Sequence, residues 1–221
     1  MGLNKQKGNM YAHVSHTWNA IKGRCSHDCH YCYMRAFKLG PLKLDNSEFQ
    51  TGLGEGNYIF VGSSTDMFAE NVPSEWIESV LSHCRKYPEN KYLFQSKNPL
   101  RFFDFYLRFP PKSIACTTIE TNRDVAISKS PAAMFERAEC MRELRFRGLE
   151  TQVTVEPILD FDKDDFVELL QYAQPALITI GADSKGHTLP EPSPQEIKLL
   201  IAELQQFTQV IIKQNLRRLL K

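Results

Sequence analysis

After residue 50 the chain alternates between two hydrophobic periods, and this alternation restricts its fold more than any other feature. Short β-rich runs occur at Tyr58–Gly62, Lys91–Ser96, Ser113–Ile119, Thr151–Val155, Ala176–Ile180 and Val210–Ile212. Between them lie segments with helix signals. Pro73 precedes SEWIESVLSHCRKY, Pro99 precedes LRFFDFYLRF, and Pro131 precedes AAMFERAECMRELRFR, which stops at Gly148. Proline suits a first helical turn, and glycine suits the position past the last one. Asp162–Ala173 and Ser193–Phe207 read as two more helices, the second capped by Ser193. Nearer the start, Thr17–Ile21 reads as a first strand and Tyr33–Lys38 as a helix ending before Gly40-Pro41.

Strands alternating with helices of this length predict a parallel sheet with right-handed crossovers. A full (β/α)8 barrel takes about 250 residues. A chain of 221 residues therefore fits an α/β fold of partial (β/α)6-type barrel form, with room for a seventh strand. No linker or low-complexity stretch divides residues 1–221, so one domain is expected.

Nearly every predicted strand runs into an ionisable residue: Asp66, Lys97, Glu120, Glu156, Asp183 and Lys213. In parallel α/β folds that edge receives ligands. Side chains alternate along a strand, so Ile114, Cys116, Thr118 and Glu120 share one face. Likewise Gln152, Thr154 and Glu156 share a face opposite Val153 and Val155. The apolar set is expected to meet the helices and the polar set to line an interior cavity.

Composition narrows the function. The chain is 42% hydrophobic with 27 Lys plus Arg against 26 Asp plus Glu, which excludes a disordered chain and a grossly cationic nucleic-acid binder. No apolar run approaches the roughly 20 residues of a membrane span. MGLNKQKGNM lacks a signal-peptide core, and Gln6 breaks the myristoylation pattern, so a cytoplasmic location is expected. Charge is concentrated: up to residue 44, Lys5, Lys7, Lys22, Arg24, Arg35, Lys38 and Lys43 face a single acid, Asp28. An ordinary solvated face and a phosphate-contacting surface, extended by Lys213, Arg217, Arg218 and Lys221, both fit this pattern.

Six cysteines in a reducing compartment read as ligands or core residues before disulfides. Cys84 and Cys140 fall on helix patterns and read as core. Cys25, Cys29 and Cys32 lie in one loop, Gly23-Arg24-Cys25-Ser26-His27-Asp28-Cys29-His30-Tyr31-Cys32. Three thiolates are one short of a structural zinc site and of an ordinary electron-transfer iron–sulfur cluster. Two readings stay open: a metal corner vacant for substrate, or a zinc site completed by His16, His27 or His30.

C-x3-C-x2-C with an aromatic, Tyr31, before its last cysteine resembles the signature of radical SAM enzymes. Further pieces are similar to a phage- and bacteria-encoded group within that superfamily marked by a T-W-N strand. They are Thr17-Trp18-Asn19, Ser64-Thr65-Asp66-Met67-Phe68, Gln95-Ser96-Lys97-Asn98-Pro99, Glu120-Thr121-Asn122, Val155-Glu156-Pro157 and Gly181-Ala182-Asp183. A more distant likeness is to spore photoproduct lyase.

The resemblance implies that Cys25, Cys29 and Cys32 hold a 4Fe–4S cluster whose remaining iron takes S-adenosylmethionine. Reductive cleavage then yields a 5′-deoxyadenosyl radical, with an external donor of flavodoxin or ferredoxin type. By position, Ser63, Ser64 and Thr65 stand where the family has a Gly-Gly-Glu segment, here replaced by serines. Thr118 and Glu120 stand where ribose or carboxylate is held, and Lys97 is a candidate for the methionine carboxylate. Glu156 and Asp183 are candidates for adenine, sulfonium or substrate. Cys116 is a candidate hydrogen-atom donor. Nucleic acid enters as a substrate class by analogy, and a partner protein is a second candidate; the alternative function is a non-catalytic zinc-binding nucleic-acid module.

Overall fold

Residues 3–6 and 10–221 are described by the computed structural model. Met1, Gly2 and Lys7, on which the myristoylation reading and part of the basic segment rest, lie outside the described residues.

Among the described residues, ten strands run in chain order: β1 (Asn4–Lys5), β2 (His16–Trp18), β3 (Ile21–Lys22), β4 (Lys43–Leu44), β5 (Tyr58–Val61), β6 (Lys91–Gln95), β7 (Ser113–Thr118), β8 (Glu150–Val155), β9 (Leu177–Ile180) and β10 (Gln209–Ile212). The α-helices are α1 (Ser74–Arg85), α2 (Met134–Phe146), α3 (Lys163–Tyr172) and α4 (Pro194–Leu204). The main sheet has the order β1-β2-β5-β6-β7-β8-β9-β10. From β2 to β10 every neighbouring pair is parallel. The seventh parallel strand is therefore present, with β1 added antiparallel on the β2 edge.

The helices form because their apolar residues recur at helical spacing. In α1, Ile77, Val80, Leu81 and Cys84 are buried, and in α4, Ile197, Leu200, Ile201 and Leu204. Both sets follow the i, i+3, i+4, i+7 stripe of a core-facing helix. Ser193 caps α4: its Oγ accepts from the Glu196 N–H, and the Glu196 carboxylate accepts from the Ser193 N–H at 2.8 Å. Such a cap contributes about 1 kcal/mol.

Three expected elements differ. The segment after Pro99 is a 3-10 helix, Pro99–Arg108, rather than an α-helix. Its buried residues, Pro99, Phe102 and Phe105, fall three apart, which matches the three-residue turn of that helix. Tyr33–Lys38 shortens to a 3-10 turn, Tyr33–Ala36, which lacks a side-chain cap. The expected strand Thr17–Ile21 breaks after Trp18, and Ile21–Lys22 pairs instead with Lys43–Leu44 in a separate hairpin. The break has a cause: the Asn19 carboxamide oxygen accepts from the Ser63 hydroxyl at 3.1 Å and the Ser64 N–H at 3.0 Å. Gly23 then turns at φ +110°, where an added Cβ would stand 2.4 Å from the Pro41 carbonyl.

The two faces of the sheet separate as the strand period requires. Ile59, Val61, Tyr92, Phe94, Ala115, Val153, Val155, Ile178 and Ile180 pack with the helices in one core. The opposite face holds a second, smaller core of Phe60, Leu93, Ile114 and Cys116, closed by Tyr11 and Val14. The lower interior is thus filled by the segment preceding β2, where the strand pattern alone predicted an open polar cavity. Above this plug runs a polar layer. The Tyr11 hydroxyl donates to Gln95 at 2.7 Å and meets the Thr154 hydroxyl at 2.7 Å, while Gln95 Nε2 donates to Thr118 at 3.0 Å. Among the described residues, no helix is long and apolar enough to cross a membrane.

Candidate metal centre and cofactor site

The cysteine loop leaves the β3 hairpin at Gly23 and crosses the C-terminal edge of the sheet. Its conformation is set locally. Asp28 lies at φ 44°, a left-handed position that Asp tolerates better than most side chains. Arg35 then folds back, donating to the Cys29 carbonyl at 2.8 Å and to the Asp28 carboxylate at 2.6 Å. The Cys32 N–H donates to the Cys29 carbonyl at 3.2 Å.

Two neighbouring segments hold the loop against the sheet. After β5, the Thr65 hydroxyl donates to the Gly23 carbonyl at 2.8 Å, and Asn71 accepts from the Ser26 N–H at 3.2 Å. After β7, the Ile127 carbonyl accepts from the His30 N–H at 2.8 Å, and the Lys129 N–H donates to the His27 carbonyl at 2.6 Å.

All three loop thiols are free, with Cys29 buried and Cys25 and Cys32 half-buried. Burial, reinforced by Cys25, Glu120 and Cys32, pushes the Cys29 thiol up to about 12, against a lowering by Lys97. Burial and the nearby Asp66 carboxylate also raise the Cys25 thiol. Cys25 and Cys32 both act on the Cys29 thiol, so the three sulfurs are electrostatically coupled.

Next to Cys29 stands a buried charge network. Glu120 is fully buried and accepts from the Tyr31 hydroxyl, from Lys97 Nζ and, at 3.2 Å, from Arg137 Nη1. Lys97 also lies 5.0 Å above the Tyr31 ring. Burial alone would raise the Glu120 carboxyl, but Lys97 and Arg137 outweigh it and hold it below its usual range. Arg137 was not singled out in the sequence. Its signal is a cation in phase with the buried Met141 and Leu144 of α2, at i, i+4 and i+7.

A second hub is Asp66. Its carboxylate accepts from His27 Nε2 at 2.8 Å, from the Ser96 hydroxyl at 3.0 Å and from the N–H groups of Lys97 and Phe68, both at 2.9 Å. His27, a candidate zinc ligand in the sequence, is 1% exposed, and its Nδ1 has no hydrogen-bond partner among the described residues.

The remaining sequence candidates also end strands. Ser63 and Ser64 bond Asn19 and so brace the turn after β5, while Tyr33 donates to the Ser63 carbonyl at 2.7 Å. Glu156, after β8, accepts from Lys213 at 2.5 Å and Asn215 at 2.8 Å. Gly181 makes room for it, since a Cβ there would stand 2.6 Å from a Glu156 oxygen. Asp183, after β9, accepts from His187 Nδ1 at 2.7 Å and from the Lys185 N–H at 3.1 Å. Cys116 stands apart from the loop: it lies in the interior plug, 1% exposed, 3.5 Å from the Thr154 hydroxyl.

The donor set fits an iron–sulfur cluster. Three thiols on one loop, with the other cysteines away on α1, β7 and α2, are one short of the four that hold an ordinary cluster and would leave one iron open to a ligand. His27 uses Nε2 on Asp66, and its buried Nδ1 has no hydrogen-bond partner among the described residues.

No family model and no curated protein sequence matches the chain. Solved structures do. A spore photoproduct lyase variant with bound AdoMet and dinucleoside spore photoproduct has a TM-score of 0.70 at 11% identity, covering 96% of this chain and 80% of that one. Streptococcus suis SuiB bound to precursor peptide SuiA has a TM-score of 0.65 at 8% identity, over 89% of this chain and 48% of that one. Methylornithine synthase (PylB) has a TM-score of 0.56 at 11% identity, over 88% and 63%. The chain has the partial-barrel fold of these radical SAM enzymes.

Proposed function

We propose that the chain is a radical SAM enzyme in which Cys25, Cys29 and Cys32 ligate a 4Fe–4S cluster. The observation that supports this reading is three free thiols on a single loop of a chain with the fold of radical SAM enzymes. The other cysteines, Cys84, Cys116 and Cys140, lie buried on α1, β7 and α2. A bound cluster with S-adenosylmethionine supplies a 5′-deoxyadenosyl radical on one-electron reduction, and an external flavodoxin- or ferredoxin-type donor provides the electron.

The protein's part is to orient and to exclude water. Tyr31, anchored on Glu120, ties the cysteine loop to the ends of β6 and β7 through Lys97 and Arg137. Thr118 joins through the Arg137 bond to its carbonyl at 2.8 Å. In this reading Lys97 and Glu120 form the charged wall of the S-adenosylmethionine site, and the Ser63-Ser64-Thr65 turn contacts its methionine end. Glu156 and Asp183 border the side where adenine or substrate enters. Nucleic acid is the substrate class favoured, supported by the likeness to a lyase holding a dinucleoside and by the exposed cations Arg24, Lys38 and Lys43.

The test is anaerobic reconstitution. The wild-type protein should turn brown and, once reduced with S-adenosylmethionine, release 5′-deoxyadenosine. A colourless protein carrying stoichiometric zinc would instead establish the zinc-module reading.

A further inference from the structure

The cysteines sit within a longer loop whose two ends are joined. Lys22 on β3 stands opposite Lys43 on β4, and Gly23 packs against the backbone of Pro41 and Leu42. From Lys22 to Lys43 the chain carries Lys22, Arg24, Arg35, Lys38 and Lys43 against a single acid, Asp28. Lys22 is neutralised by Asp45 and Glu48 at 2.8 and 2.7 Å. Asp28 is shared by Arg35 at 2.6 Å and Lys129 at 3.0 Å, two cations on one carboxylate. Arg24, Lys38 and Lys43 are exposed and form no ion pair among the described residues. The loop that holds the cysteines therefore has an uncompensated positive surface.

Two large rings are exposed on the same loop. Tyr33, directly after Cys32, is 45% exposed, and Phe37 is 61% exposed. Both are held in place. The Tyr33 hydroxyl donates to the Ser63 carbonyl at 2.7 Å. The Phe37 N–H donates to the Met34 carbonyl at 3.0 Å, and its carbonyl accepts from the Leu39 N–H at 2.9 Å. Rings left in water add nothing to the core, and together with unpaired cations they suit a ligand that has flat apolar faces and negative charge. Single-stranded nucleic acid has both, since its bases stack on aromatic side chains while its phosphates meet Lys and Arg. A duplex hides its base faces, and an acidic protein surface offers carboxylates without stackable bases.

We propose that Phe37 and Tyr33, flanked by Arg24, Lys38 and Lys43, form a stacking platform for single-stranded nucleic acid beside the cysteine loop. The proposal rests on the nucleic-acid reading above. It adds that the substrate is unpaired where it meets the protein, and it names the side chains that receive its bases.

The experiment titrates anaerobically reconstituted protein with a fluorescein-labelled oligo-dT strand and with an abasic strand of the same length, over a range of salt concentrations. Wild type, Phe37→Ala, Phe37→Trp and Lys38→Ala are compared at equal iron content. Wild type should bind oligo-dT about 5- to 100-fold more tightly than the abasic strand, the range that one stacked base supplies. Phe37→Ala should lose most of this preference with its salt slope unchanged, and Phe37→Trp should restore it. Lys38→Ala should keep the preference and make the slope shallower by about 0.7, the share of one phosphate contact on a single strand. Equal binding of the two strands by wild type, or an undiminished preference in Phe37→Ala, overturns the platform and leaves the nucleic-acid reading standing. Failure of wild type to bind either strand overturns both. If Phe37→Ala weakens only the complex with an acidic flavodoxin, the surface is a docking site for the electron donor and the platform is likewise overturned.

Discussion

Lys97 and Glu120 end adjacent strands, β6 and β7, and form an ion pair in which Glu120 is fully buried and Lys97 is 8% exposed. Arg137 approaches the second carboxylate oxygen from α2 at 3.2 Å. The pair also flanks the most buried thiol of the cysteine loop. Two cations thus depend on one carboxylate, and this unequal arrangement determines how each substitution should behave.

Glu120→Ala strands Lys97 and Arg137 in the interior without their counter-charge. Breaking a buried pair in this way costs about 3–5 kcal/mol. Lys97→Met should cost less, because Arg137 and Tyr31 still serve Glu120. Urea unfolding of the apo-protein measures both, and a Glu120→Ala variant within 1 kcal/mol of wild type would contradict the buried network.

Acid should destabilise the fold through the same group. Burial raises the Glu120 carboxyl, but Lys97 and Arg137 lower it further, so its folded value lies below the unfolded one. A depressed carboxyl contributes stability that is present above its unfolded value, near 4.3, and lost as pH falls through the folded value. Asp66 behaves alike: burial opposes ionisation, but His27 and two backbone N–H groups prevail. Stability between pH 7 and pH 5 should not vary through these two groups, and should decline below about pH 4. Urea midpoints across pH should show a shallower acid limb for Glu120→Gln than for wild type; parallel limbs count against it.

Gly23 permits the cysteine loop to leave its hairpin. At φ +110°, with Pro41 backbone 2.4 Å from any Cβ, Gly23→Ala adds both backbone strain and a clash that no side-chain rotation relieves. The expected loss is more than about 2 kcal/mol, with reduced iron uptake on reconstitution. A variant with wild-type thermal stability and full iron content would show that the turn is not required.

Cys116 lies in the interior plug with its thiol pushed up to about 12 by burial. Thiolate is the reacting form, so iodoacetamide at pH 8 should label Cys116 at least about 100-fold more slowly than a free cysteine. Tyr11→Ala, which removes the ring packed beside it, should accelerate labelling. Peptide mass spectrometry reads both rates. Cys116→Ala should leave 5′-deoxyadenosine release unchanged, and a fall in that release would place the thiol in the radical-forming step; a donor role would appear only in the final product.

Binding of single-stranded DNA should weaken with salt through Arg24, Lys38 and Lys43. Three phosphate contacts correspond to a slope of roughly −2 in log K against log salt. Lys22 and Arg35 should contribute little, since both are paired within the protein. Fluorescence anisotropy measures the slope; salt-independent binding, or none, speaks against a nucleic-acid substrate.

Much of this protein is written locally. Strand period two and the helix signals identify β5 to β10 and α1 to α4, because burying one face of each element demands those repeats. The C-x3-C-x2-C loop and Tyr31 are likewise contiguous, so the candidate metal ligands need no tertiary information. What the chain folds into decided the rest. Asn19 ends β2 through a bond to a turn 44 residues away, and Tyr11 fills an interior that the strands alone would leave open. Arg137 meets Glu120, and His27 meets Asp66, only because separate crossovers deliver them to one sheet edge. Local pattern reports which face a side chain occupies; the partner on that face is chosen by long-range packing, where a buried charge persists only with a counter-charge brought from elsewhere in the chain.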